Sequence, residues 1–222
     1  NKAKIIDKAP KSSVWLSPTN AEVDTRNNNE LKKIKSPSKL YRGVLKRQFK
    51  ADRLPSPMEL VLKVGAQVMF TQNDTKKQWI NGTVGKVKEL EDEKIVVQIF
   101  ETKTIVDVFI TNWSDYQYRW DHSTNTIERK TVGSYTQYPL VLAWAITIHK
   151  SQGRTIDKVH VDLGRGVFET GQTYVALSRC RSVKGLSMTR KLNPSDILVD
   201  EESKDYYQNL RALIKKLPPK VM

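Results

Sequence analysis

The chain has 222 residues, with 38 Lys and Arg against 24 Asp and Glu, and so a formal net charge of +14. A surplus that large excludes a near-neutral surface and points to a polyanionic partner, nucleic acid before an anionic membrane. The single Cys180 excludes an internal disulfide and fits a reducing, intracellular compartment, and no apolar run approaches the roughly 20 residues of a membrane span. No signal peptide is read at the start, and an opening Asn1 in place of Met reads as a piece of something longer.

Residues 1–57 carry fourteen Lys and Arg and five Asp and Glu, so most of the charge sits in the first quarter. A solvated basic surface would give the same count. Ser13-Val14-Trp15-Leu16 reads as a short buried strand stopped by Ser17-Pro18-Thr19-Asn20. Thr19 or Asn20 can then cap a helix bearing Val23, Asn27, Leu31 and Ile34 on one stripe. Residues 36–59, punctuated by Pro37, Pro55 and Pro57, read as an extended connection.

From Leu60 to Ile110 the pattern is one of short strands: 68–70, 84–90, 95–100 and 104–110, with Asn81-Gly82 as a tight turn. Strands at about ten-residue spacing predict a small antiparallel barrel. Trp113, Tyr116, Tyr118 and Trp120 follow on a partly alternating pattern. Such rings can stack on bases, but packing against the barrel is the preferred reading. After Tyr138-Pro139 the α/β signal returns: 140–151 reads as an apolar helix, 159–163 and 186–189 as strands, 171–181 as a helix, and Tyr206 to Ile214 as a last amphipathic helix.

Two stretches carry chemistry. In Thr147-Ile-His149-Lys150-Ser-Gln-Gly153-Arg154, donors, cations and a flexible glycine follow an apolar run, a set suited to anionic oxygens. In Tyr174-Val-Ala-Leu-Ser-Arg179 a helix ends on an arginine that could hold a phosphate in two-pronged fashion; taken alone, such an arginine is more often a surface or salt-bridge residue. His122, His149 and His160 do not fall with Cys180 at metal-ligand spacing, so no metal site is read. Cys180, beside Arg179 and Arg181, is read as a buried inert thiol, and no nucleophile–base pattern is found.

Read together, these stretches resemble motifs V and VI of a superfamily-one DNA helicase, most of all the petite-integration-frequency and RecD-like family. Pro18-Thr-Asn20 with Val23, Asn27 and Leu31 is similar to its motif IV region, and Leu62-Lys-Val-Gly-Ala-Gln-Val-Met69 and Gln137-Tyr-Pro-Leu140 agree. Arg26 departs from an aliphatic family position, which reads as a more exposed helix.

The resemblance implies an α/β fold: a RecA-like second motor domain (1–83 and 138–222) interrupted by a small SH3-like β-barrel at 84–137. It implies the C-terminal half of an ATP-dependent 5′→3′ DNA helicase, with Arg179 as the catalytic arginine on the γ-phosphate and Gly153 and Arg154 lining the same cleft. Thr19, Asn20, His149 and Lys150 would lie on the DNA backbone. The partners implied are single-stranded and forked or duplex DNA and an N-terminal RecA-like domain; the location implied is cytoplasmic in a bacterium, nuclear or mitochondrial in a eukaryote.

The sequence holds no G-x-x-x-x-G-K-[ST] loop, so ATP and Mg²⁺ would be bound mainly by the N-terminal domain, and this stretch alone is expected to be inactive. Ile197-Leu-Val-Asp200-Glu201 resembles a metal-binding strand but comes after both motifs, and is read as a lead into the last helix. The competing readings are a non-catalytic basic nucleic-acid-binding module and a degenerate helicase remnant.

Overall fold

A computed structural model describes residues 3–47, 49 and 54–215. The first element pair is β1 (Lys4–Ile5) and β2 (Val14–Ser17), followed by α1 (Asn20–Lys33). Then come β3 (Ser38–Arg42), β4 (Val44–Arg47), β5 (Glu59–Lys63), β6 (Gln67–Phe70), β7 (Val84–Leu90), β8 (Lys94–Ile99) and β9 (Ile105–Phe109). Two long strands follow, β10 (Thr111–Asp121) and β11 (Thr126–Gln137), then β12 (Leu140–Leu142), β13 (Ala145–Thr147) and α2 (Ile148–Ser151). The chain ends with β14 (Val159–Val161), α3 (Gln172–Ser178), β15 (Leu186–Met188) and α4 (Glu201–Lys215).

Five strands make a parallel sheet in the order β1-β15-β14-β2-β13. Its central strands are buried on both faces, which is why Val-Trp-Leu and Val-His-Val read as continuous runs with no alternation. Val14, Leu16, Ile146, Val159, Val161 and Met188 pack on one side with Ile148, Ile156, Leu163 and Ala176. On the other, Trp15, Val23 and Ala145 meet beneath α1. Arg26 does not make α1 more exposed: its guanidinium lies 3.3 Å from the centre of the Trp15 ring, covering that ring in an aliphatic residue's place.

The β-rich stretch forms an antiparallel sheet in the order β12-β6-β7-β8-β9. Val68, Phe70, Val87, Ile95, Val97, Val106 and Val108 point to its core side, where Leu60, Leu62 and Tyr138 join them. Among the described residues the expected barrel is not closed: β9 and β12 remain the two edges.

Three other expectations change. The supposed extended connection holds β3, which pairs with β5, and β4, which pairs with β11; the prolines flank these strands and lie in none of them. Residues 140–151 are two short strands and one turn of helix, because a short apolar run buried in a sheet has the same composition as a buried helix. Of the four aromatics expected to pack, only Trp113 does so, stacking on Tyr135 at 5.7 Å; Tyr116, Tyr118 and Trp120 are exposed. Residues 197–200 form no strand and lead into α4, with Asp200 accepting from the Ser203 hydroxyl at 2.6 Å.

Candidate functional site

Neighbouring strands β2 and β13 run parallel with Ser17 opposite Thr147. The chain therefore leaves the sheet at one edge twice, as Thr19–Asn20 into α1 and as His149–Lys150 in α2. The C-terminal edge of parallel strands, with helices starting there, is where α/β sheets expose backbone N–H groups and bind ligands. The two exits are fixed to each other by Asn27, whose amide donates to the Ala145 carbonyl and accepts from the Ala145 N–H, both at 2.9 Å.

Thr19 is the N-cap of α1, with extended backbone, but its hydroxyl makes no capping bond; it is buried and has no partner. Asn20 is exposed. Thr147 caps α2, accepting from the Lys150 N–H at 3.2 Å, and leaves the Lys150 side chain exposed. His149 is half-exposed and pairs through Nε2 with Glu169 at 2.5 Å.

Gly153 follows α2 with φ +75°, a left-handed turn with open space around it that a side chain would strain. Beyond it the motif V and motif VI segments are stitched together: the Ile156 N–H donates to the Arg179 carbonyl at 2.9 Å and the Arg181 N–H to the Ile156 carbonyl at 3.2 Å. Arg179 closes α3. Its Nε donates to the Val175 carbonyl at 3.0 Å, Nη2 to the Ser178 hydroxyl at 2.8 Å and Nη1 to the Arg154 carbonyl at 3.4 Å. Among the described residues it has no carboxylate partner, so its guanidinium is held by neutral acceptors alone. Such a group suits an incoming anion.

Only the backbone of Arg154 meets Arg179. Its side chain turns away, Nη1 lying 3.1 Å from the Met69 sulfur, and burial pulls its pKa below the ordinary guanidinium value. With Lys150, Asn27 and Asn28 it lines a cavity of about 600 Å³ between α1, residues 54–61 and residues 141–146. The site residues expected from the sequence thus form two groups, one at the β2/β13 edge and one at the α3 end.

Glu169, which the sequence reading passed over, connects the groups: it holds His149 with its side chain while its carbonyl accepts the Gln172 N–H at the start of α3. No spacing signal marks it. Cys180 is half-buried, its thiol 3.2 Å from the Ser182 carbonyl. The described residues hold no group of three His, Cys, Asp or Glu side chains that could grip a metal ion.

A family described as "Helicase", the herpes helicase family, matches residues 69–216. The ATP-dependent DNA helicase Pif1 of Bdellovibrio bacteriovorus is 38% identical over 159 residues, 72% of this chain and 34% of that protein. The crystal structure of Bacteroides sp Pif1 in complex with ADP-AlF4 superposes with a TM-score of 0.81 at 34% identity, over 91% of this chain and 46% of that one. The crystal structure of Bacteroides Pif1 bound to ssDNA superposes at 0.67, with 34% identity, over 92% and 47%. This chain belongs to the Pif1-like helicase family. It spans less than half the length of these relatives. The parallel sheet with its α1, α2 and α3 exits is the α/β architecture shared with their RecA-like domain.

Proposed function

We propose that this chain is the C-terminal motor half of an ATP-dependent 5′→3′ DNA helicase, supplying motifs IV to VI to a longer enzyme. The observation that carries the reading is the pairing of two groups on one scaffold. Arg179 has no carboxylate partner among the described residues and is anchored on the Arg154 carbonyl, while Thr19, Asn20, His149 and Lys150 stand at the neighbouring sheet edge. Arg179 stabilises charge on the γ-phosphate, and Gly153 with the backbone of Arg154 shapes the wall of the same cleft. The four edge residues hold the DNA backbone, Lys150 by charge and the start of α1 through its N–H groups.

The phosphate-cradling loop and the Mg²⁺ ligands fall to an N-terminal RecA-like domain, since neither the loop sequence nor a ligand cluster is found among the described residues. ATP with Mg²⁺ then supplies the transferable phosphoryl group. The insertion within the motor domain then extends beyond the expected 84–137, since its sheet takes β6 and β12 as well. The Glu169–His149 pair links cleft and DNA edge, so that closing on nucleotide shifts the grip on the strand.

The test is unwinding by the parent protein of partial duplexes carrying either a 5′ or a 3′ single-stranded tail. The reading expects ATP-dependent unwinding of the 5′-tailed substrate alone; unwinding confined to the 3′-tailed substrate, or none with either, contradicts it.

A further inference from the structure

Strands β10 and β11 continue well past the point where β4 supports them. Pairing with β4 covers residues 133–136 of β11, and beyond it, among the described residues, the two strands pair only with each other. Every residue from Tyr116 to Thr131 is exposed except Asp121, which is half-buried in the tip turn, where it accepts from Ser123 and Thr124. This is a two-stranded ribbon with both faces in solvent, a form with little stability of its own.

Its two faces differ. A register shift between Asp115 and Tyr116 resets the pairing, after which Tyr116 faces Thr131, Tyr118 faces Arg129 and Trp120 faces Ile127 across the strands. Opposed residues share a face, so three rings and Ile127 form one stripe. Tyr118 is 65% exposed and Trp120 46%. The other face carries Gln117, Lys130, Arg119 and Glu128. The one charge on the aromatic face is Arg129, whose guanidinium lies 4.2 Å from the centre of the Tyr116 ring. No acid shares that face.

Exposed rings on so thin a support bury no core; their use is to meet something. Alternate residues on a strand stand about 6.8 Å apart, twice the rise per residue and about twice the 3.4 Å step of stacked bases along one strand. Rings at that pitch accept bases pulled out of their own stack. Duplex keeps its base faces covered, so the match is to single strands. A guanidinium with no neighbouring carboxylate, on a chain of net charge +14, suits the phosphates between them.

We propose that the aromatic face of the β10–β11 ribbon is a stacking platform for single-stranded nucleic acid. It is separate from the β2/β13 edge and requires neither Arg179 nor ATP, so it stands or falls apart from the motor reading. Stacking on rings is tolerant of sequence, and the platform takes pyrimidine and purine strands alike.

The test is binding of labelled oligo(dT) to the 222-residue chain without nucleotide, read by anisotropy at fixed salt beside a blunt duplex of the same length. Trp120→Ala is expected to weaken oligo(dT) binding about tenfold with little effect on the duplex, and Tyr118→Ala to act alike. Trp120→Phe keeps a ring and is expected to retain the affinity while losing the part of the tryptophan quenching that oligo(dT) causes in the wild type. That comparison decides the matter even where an alanine variant folds poorly. Unchanged oligo(dT) affinity in the Tyr116→Ala/Tyr118→Ala/Trp120→Ala variant overturns the proposal. So does a change confined to self-association in sedimentation, which would make this face a contact between copies.

Discussion

Asn27 sits on the buried stripe of α1, where a leucine would serve the packing, and its amide uses both functions on one backbone unit of β13. Replacing it by alanine strands the Ala145 N–H and carbonyl in the interior, so Asn27→Ala is expected to cost roughly 1–3 kcal/mol. The check is the urea midpoint at constant slope. Asn27→Asp, which cannot donate, is expected to recover only the bond from the Ala145 N–H.

His160 is fully buried, with Nδ1 at 2.9 Å from the Ser187 hydroxyl, its ring on Trp15 and Nε2 without a partner. Burial is the first cause, and Arg26 a lesser one, that lowers its pKa in the fold; Asp162 opposes them. The unfolded chain then takes up a proton that the fold rejects, so stability is expected to fall as pH drops below about 6.5. Chemical denaturation between pH 8 and 5 measures this, and His160→Gln should flatten the acid limb.

The turn at Pro194–Asp196 shows how an element behind the site holds it in place. Asp196 is 1% exposed, accepts both arms of Arg190 at 2.6 and 2.7 Å and the Asn193 N–H at 2.7 Å, while its carbonyl takes the Thr173 hydroxyl of α3. The Arg190 hydrogen bonds hold its carboxyl below the usual carboxylate range despite burial. The stabilisation is complete above the unfolded value near 3.9 and is lost as pH falls toward the lowered one. Asp196→Asn should therefore destabilise the wild-type-like fold near neutral pH, and the wild type should lose this advantage only in strong acid.

Elements of this kind were partly legible. The strand at 14–16 and the stripe of α1 could be read because a buried run and a 3.6-residue period are local signals. So could α3 with Arg179 at its end. Residues 140–151 could not, since Leu-Val-Leu and Ala-Ile-Thr are apolar in either state and only their partners β6 and β2 decide. Nor could the exposure of Tyr118 and Trp120, because alternation says which residues share a face and not whether anything covers it. Glu169 and the sideways turn of Arg154 depend on contacts distant in sequence.

At the scale of the molecule, charge sets the first expectation. A chain of +14 with cations at the β2/β13 edge is expected to bind single-stranded DNA without ATP. The logarithm of its affinity should fall linearly with the logarithm of salt concentration as counterions are released. Lys150→Ala should lower that slope by about one phosphate's worth, as titrations across a salt series would show.

The most direct test of the central claim is ATP turnover by the parent protein, with and without single-stranded DNA, comparing wild type with Arg179→Ala. An arginine that stabilises the transferring phosphoryl group accounts for about 10³-fold in rate. The account predicts DNA-stimulated turnover that collapses by that order in the variant, with DNA binding retained. Turnover indifferent to Arg179 would contradict it and move the catalytic arginine elsewhere.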